Sequence, residues 1–386
     1  MAGTHVFPDD VPILTDGEVT LRAHALSDVD TLMGQCTDPL SIRWTTVPVP
    51  YSRDDAVHFV TKIVPACWTD GSELAFAVEA PHADGVRRFG GTVSLRIRGD
   101  DVAEVAFGLH PGVRGRGVGA TAVRLLARWG FETQGLQVIT WYAEVGNWAS
   151  RRVAWASGFS FDGTVPALLL QRGERKDAWV GSVRLGEELA PRHEWISPPA
   201  LETDRLRLRP FADADADRFA ELLRDERSRH FSGRVAAVRA LRSGAEALHR
   251  VREACAAGER YEWAIADRTT DRLVGHLQLH DLGGVDDTEA KPAYKIHPDS
   301  RGRGYLTEAL TAMTEWTFRP TADGGLGLRR VSLLTAASNT ASRYAAERAG
   351  YVHIATEPDA FPIGDTDFDA MAIYHRLNPD WRLSPA

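Results

Sequence analysis

Two segments of this chain carry the same order of elements around the same glycine-rich turn. The first runs Val102-Ala103-Glu104-Val105-Ala106-Phe107-Gly108-Leu109-His110-Pro111, then, after Gly112 and Val113, Arg114-Gly115-Arg116-Gly117-Val118-Gly119-Ala120. The second runs Lys291-Pro292-Ala293-Tyr294-Lys295-Ile296-His297-Pro298, then, after Asp299 and Ser300, Arg301-Gly302-Arg303-Gly304-Tyr305-Leu306-Thr307. In each, an apolar run predicts a strand, and proline ends it. Ala122, Leu125, Leu126 and Trp129 then fall at helical spacing, and 308–316 reads as the matching second helix. A strand, glycine turn and helix in that order aim several free backbone N–H groups at one point, with the helix dipole behind them. Such a turn is an anion site, and its glycines let a phosphate approach the backbone closely. It lacks the Gly-Lys-Ser/Thr ending of a nucleotide P-loop. It also lacks the βαβ setting and downstream acid of a dinucleotide fold.

The repetition extends beyond the turn. Leu21-Arg22 with Asp28 and Asp30 is matched by Leu208-Arg209 with Asp215 and Asp217 at the same spacing as the two turns. Asn147-Trp148-Ala149-Ser150-Arg151 faces Asn339-Thr340-Ala341-Ser342-Arg343 at a slightly larger spacing, and the loop chemistry of 320–325 supplies the extra length. Each copy closes on Gly-aromatic, Gly158-Phe159 and Gly350-Tyr351. A repeat of this size is a whole domain, not a solenoid unit. The expected domains are 1–190 and 191–386, joined through the proline-rich 187–200.

Composition narrows the setting. Of 386 residues, 44% are hydrophobic and 25% charged, enough for two ordinary cores. A formal net charge of −8 argues against general nucleic-acid binding. Cys36, Cys67 and Cys255 fit neither a disulfide framework nor a metal spacing, so no metal is expected. With no secretory leader and no apolar run of membrane-spanning length, a cytoplasmic protein is expected.

Within the first copy, strands are expected at 18–22, 73–79, 89–96, 102–109, 138–143, 166–171 and 178–183. Helices are expected at 28–37, 53–64, after the turn, and at 149–156. Strands that first meander, then feed a helix and a parallel return, make an α/β domain on a mixed, mostly antiparallel sheet.

The order of strand, Arg-x-x-Gly-x-Gly turn, helix, strand, Asn-x-x-Ser helix and Gly-aromatic resembles the GNAT superfamily of acyl-CoA N-acetyltransferases. Segments 201–209 and 43–48 resemble the branch that acetylates ribosomal-protein and other α-amino groups. The resemblance covers nearly the whole chain, as two tandem domains. It implies a splayed sheet and acetyl-CoA as cosubstrate. The amides of Arg114, Gly115, Arg116, Gly117, Val118, Gly119 and Ala120 would hold its pyrophosphate. Phe107, Gly108, Leu109 and Asn147 would line its pantetheine arm. Ser150 would lie near the sulfur and protonate the leaving thiolate. The second set would be Ile296, Arg301, Gly302, Arg303, Gly304, Tyr305, Leu306, Thr307, Asn339 and Ser342. A backbone N–H near Leu109 would stabilise the oxyanion. Glu104 is the first candidate for the base that takes the ammonium proton, and Glu144 the second. Trp44 sits where the family forms its acceptor wall; with 11 Trp in the chain, most others belong to the cores.

The copies differ at two of these positions. Glu104 aligns with Lys291, and Gly119 with Leu306, a side chain expected to crowd the pyrophosphate. The first half is therefore expected to be the catalyst. The second then binds acyl-CoA weakly, acts on another substrate, or serves structure. The expected activity is acetyl transfer to a primary amine of a small molecule or peptide N-terminus, with no membrane partner. The competing readings are a non-catalytic acyl-CoA-binding scaffold, and a related fold using another donor such as aminoacyl-tRNA. The acidic net charge opposes the last.

Overall fold

The structure, a computed structural model, describes residues 11–232, 243–283 and 287–381. The chain divides into two compact units, Met1–Arg192 and His193–Ala386.

The first unit opens with β1 (Leu14–Thr15) and β2 (Thr20–Arg22), then α1 (Val29–Cys36) and α2 (Pro39–Trp44). Next α3 (Arg53–His58) passes through a π turn into α4 (Val64–Asp70). Then come β3 (Glu73–Pro81), β4 (Arg87–Gly99), β5 (Val102–Leu109), α5 (Val118–Thr133), β6 (Val138–Glu144), α6 (Trp148–Ala156), β7 (Gly163–Gln171) and β8 (Glu174–Arg184). The eight strands form one sheet in the order β1-β2-β3-β4-β5-β6-β8-β7. Leu74 to Val78 of β3 are all buried, as a central strand covered on both faces must be. Ala122, Val123, Leu126 and Trp129 give α5 one apolar stripe, which packs on β3 and β4 beside Phe76 and Leu95.

The second unit repeats this plan with β9 (Leu201–Glu202), β10 (Leu206–Arg209), α7 (Ala216–Arg224), α8 (Glu226–His230), α9 (Gly244–Ala256), β11 (Tyr261–Asp267), β12 (Leu273–Gly283) and β13 (Glu289–Ile296). It closes with α10 (Tyr305–Phe318), β14 (Arg330–Ala336), α11 (Thr340–Arg348), β15 (Val352–Ile363) and β16 (Asp367–Leu377). Its eight-stranded order is β15-β16-β14-β13-β12-β11-β10-β9. The expected mixed, mostly antiparallel sheet flanked by helices is present in both units. The helix expected at 53–64 runs on, through the π turn, to Asp70. The sequence reading lacked α2, which is too short to show a helical period. Its signals were local: Asp38 caps it by accepting from Ser41 N at 3.0 Å, and Pro39 opens it.

Each sheet has one parallel pair, and each pair comes apart. Residues Val102 to Val105 of β5 pair with Val138 to Trp141 of β6, and beyond them the two strands separate. In the second unit only Glu289 and Ala290 pair, with Arg330 and Val331, so the opening between β13 and β14 starts earlier. Backbone groups along the open edges have no neighbouring strand. An extended ligand can take its place there.

Gly158 and Gly350 end α6 and α11 in the same left-handed conformation, φ 85° and 81°. Their surroundings differ. A Cβ on Gly158 would lie 2.5 Å from Glu188 O and 2.8 Å from Ala190 N, whereas one on Gly350 meets only the flexible Arg376 side chain, at 3.5 Å. Gly350→Ala should therefore cost the left-handed penalty alone, about 1–2 kcal/mol. Gly158→Ala must also move backbone and should cost clearly more, about 3 kcal/mol or above. Urea unfolding of the two full-length variants checks this; equal losses would refute it.

Candidate functional site

Both glycine turns have one backbone signature. Gly115 and Gly117 have φ of 72° and 80°, and Gly302 and Gly304 have 74° and 77°. L-residues avoid this region, so glycine is required at these four places. Gly117 and Gly304 are the N-caps of α5 and α10, and neither helix start has a side-chain cap. Their first N–H groups are left for a ligand.

The first arginine of each turn does something the sequence reading did not anticipate. Arg114 Nε donates to Leu109 O at 3.0 Å, while the same guanidinium pairs with Asp38 at 2.7 Å and donates to Ser41 Oγ at 2.9 Å. Arg301 donates to Ile296 O at 3.2 Å, pairs with Asp225 and donates to Ser228 Oγ at 3.1 Å. Asp38 and Asp225 cap α2 and α8. Burial works against both carboxylates, but the guanidinium and capping bonds win and hold both below the usual range. Each arginine thus ties strand end, turn and short helix together. Its side chain is spent on this brace, and what positions 114 and 301 present to a phosphate is backbone.

The Gly119 and Leu306 difference has a packing cause. A Cβ on Gly119 would lie 2.9 Å from Leu109 Cδ1 and 3.2 Å from Val153 Cγ2. In the second unit the Val153 position is Ala345, and Leu306 packs against the core. The smaller Ala345 leaves more room beside position 306, and Leu306 also lines the cavity of this unit.

Asn147 and Asn339 occupy equivalent N-cap positions, each accepting from the backbone N–H of its serine, Ser150 at 3.2 Å and Ser342 at 3.3 Å. The serine hydroxyls have different partners. Trp141 Nε1 donates to Ser150 Oγ at 3.0 Å, whereas Ser342 Oγ lies 2.7 Å from the Tyr294 hydroxyl. Tyr294 stands where the first unit has Phe107. Burial pushes its phenol up to about 12, against the pull of the Ser342 bond.

The structure engages both carboxylates of the first cleft. Glu104 is paired with Arg96 and Arg98. Glu144 takes a bidentate pair from Arg43, both contacts 2.8 Å, and that guanidinium lies 4.0 Å over the Trp44 ring. Arg43 thus links the Trp44 ring to the Glu144 carboxylate. Gln171 at the β7 end donates to Arg43 O and Thr45 O at 2.9 and 3.2 Å, tying the β7–β8 hairpin to the end of α2. Ala336 stands in the place of Glu144 in the second unit.

A cavity of about 980 Å³ lies in the second unit. Its walls join the turn 301–307, the free stretch of β13, Asn339 and Ser342 to a polar floor on β11, β12 and β13. That floor carries Glu262, His276 and Lys295, none of which the sequence reading singled out. Glu262 is 2% exposed, hydrogen-bonds His276, and receives Arg260 Nε at 2.6 Å. His276 and Lys295 are register partners on β12 and β13. The available signal was the alignment of the two copies, which sets Lys295 against Gly108. Among the described residues no cluster of His, Cys, Asp and Glu is placed to hold a metal, and no helix is long and apolar enough to cross a membrane.

Burial lowers the Lys295 pKa from its ordinary 10.5, with Glu262 opposing. Between the lowered value and about 10.5 the unfolded chain holds the extra proton, so this group makes stability rise with pH. Lys295→Met should therefore raise the melting temperature of the second unit at neutral pH, by about 2–4 °C per kcal/mol regained. The gain should fade as pH approaches 10.5. Thermal unfolding across that range checks it; a gain independent of pH would refute it.

Comparison with known proteins shows the family. The family model for the acetyltransferase (GNAT) domain matches residues 18–160 and again 205–352. An uncharacterized N-acetyltransferase, YoaA, of Bacillus subtilis (strain 168) is 27% identical over 157 residues, covering 40% of this chain and 82% of its own. A ribosomal-protein-S5-alanine acetyltransferase from Vibrio fischeri is 15% identical and covers 48% of this chain and 100% of its own, with a TM-score of 0.41. A microcin C7 self-immunity acetyltransferase, solved with acetyl-CoA and AMP, is 19% identical over 44% of this chain and 94% of its own, with a TM-score of 0.40. The chain is a tandem member of the GNAT acetyltransferase family.

Proposed function

We propose that this protein moves an acetyl group from acetyl-CoA to a primary amine of a small molecule or peptide, and that the second unit's cleft does the chemistry. The observation that carries this is the cavity of about 980 Å³ that runs from the glycine turn past Ser342 and Tyr294 to a polar floor. The sequence favoured the first half, on Glu104 and Gly119. In the structure Glu104 is committed to two arginines, Glu144 is held by Arg43, and the Gly119 difference traces to packing.

In the second cleft, the amides of Gly302, Arg303, Gly304, Tyr305, Leu306 and Thr307 surround the place for the pyrophosphate, and the free edge of β13 lies along the pantetheine path. A backbone N–H near Ile296 faces the thioester oxygen as charge develops there. The hydroxyls of Tyr294 and Ser342, 2.7 Å apart, stand ready to deliver a proton to the departing sulfur. His276, which lines the cavity and is oriented by its bond to Glu262, takes the proton lost by the amine. The first unit keeps the turn and the open strand but has its acceptor end tied by Arg43, Glu144 and Gln171. That favours a second reading for this unit alone: an acyl-CoA-binding domain without turnover.

Tyr294→Phe and Ser342→Ala should each lower turnover by about 10- to 100-fold while acetyl-CoA affinity stays within about twofold. Ser150→Ala and Glu104→Gln should leave turnover unchanged. Thiol release from acetyl-CoA across a panel of primary amines, with calorimetry for binding, measures both. A loss on Glu104→Gln without one on Ser342→Ala would return catalysis to the first unit.

A further inference from the structure

The acceptor floor of the second cleft holds a lysine that no carboxylate pairs with directly among the described residues. Lys295 lines the cavity at the last position before Ile296, where the strand end bounds the thioester slot. Among the described residues its ammonium makes no hydrogen bond or ion pair. The other charges nearby are already matched. Glu262 is engaged by Arg260 and His276. Lys291 bonds Asp281 at 3.0 Å, and Arg250 pairs with Glu246 at 3.1 Å. Arg227 of α8 faces the same cavity and has no ion pair among the described residues. Ala336 stands where the first unit has Glu144. In the first unit the Lys295 position is Gly108, so this charge is an addition to the shared design.

An enclosed cation with no partner destabilises the empty cleft. A ligand that brings an anion offsets that cost, whereas a polyamine would set a second ammonium against Lys295. We propose that the acceptor of the second cleft is a primary amine that also carries a carboxylate or phosphate, and that Lys295 holds that anionic group. The inference rests on the acetyltransferase reading of this cleft. Lys295 is next to the thioester slot, so amine and anion are separated by a short spacer, as in an α-amino acid or an aminoalkyl phosphate. Burial lowers the Lys295 pKa. Glu262 on β11 acts on it and His276 on β12 is its register partner, and the other charged or titratable groups lining the cavity are Arg260, His280, Lys291, Arg227, Arg250, Arg301 and Arg303. An arriving anion favours the protonated amine and so opposes that lowering.

The test uses the full-length protein and two matched pairs: phenylalanine against phenylalaninamide, and O-phosphoethanolamine against ethanolamine. At least one anionic member should be preferred over its partner by about tenfold or more in kcat/KM, and which pair responds separates carboxylate from phosphate. Lys295→Met should erase that preference, through a rise in KM for the anionic member of about tenfold or more relative to its uncharged partner. Lys295→Arg should keep part of it. Calorimetry of the anionic probe should show binding by the natural protein and binding weakened about tenfold or more in Lys295→Met. This binding readout needs no turnover, so it separates the role of Lys295 from the acetyltransferase reading itself. A preference for the uncharged amines, a preference that survives Lys295→Met, or no binding of either anionic probe would overturn the proposal.

Discussion

The bond on which both clefts depend runs from a turn arginine to the carboxylate that caps a short helix. Arg114 to Asp38 and Arg301 to Asp225 fasten the end of the splayed strand, the glycine turn and the helix beside it into one corner. The strand carbonyl, Leu109 O or Ile296 O, is the third point of attachment. A turn with two left-handed glycines is floppy by itself. Held at three points, it can present its amides to a phosphate without an ordering cost at each binding event.

The sequence made the frame legible because its signals are local. Strand, glycine turn and helix follow one another directly, and the second copy shows that the arrangement is no accident of composition. The short helix α2 was not legible by periodicity, although Asp38 and Pro39 mark its start. The roles of Arg114 and Arg301 were not legible either, because their partners lie far back in the chain. Gly119 and Leu306 show the same limit: the compensating pair, Val153 and Ala345, belongs to another helix and appears only when the helices are packed.

The two units illustrate how one fold divides into different sites. The first closes its acceptor end with a side-chain clamp, Arg43 on Glu144, and with Gln171 reaching across from the hairpin. The second removes the carboxylate, opens its parallel strands earlier, and places Glu262, His276 and Lys295 on the floor. A residue-by-residue match of the copies favours the first unit, since it retains Glu104. The geometry favours the second, because a base already held by two guanidinium groups is poorly placed to take a proton from substrate.

The most direct measurement is a crystal structure of the full chain with acetyl-CoA. The account predicts acetyl-CoA in the second unit, its pyrophosphate on the amides of 302–307, its arm along the free edge of β13, and its thioester beside Ile296 and Ser342, with the cavity over Lys295 still open. Acetyl-CoA seated in the first unit alone, or lying away from both glycine turns, would contradict it.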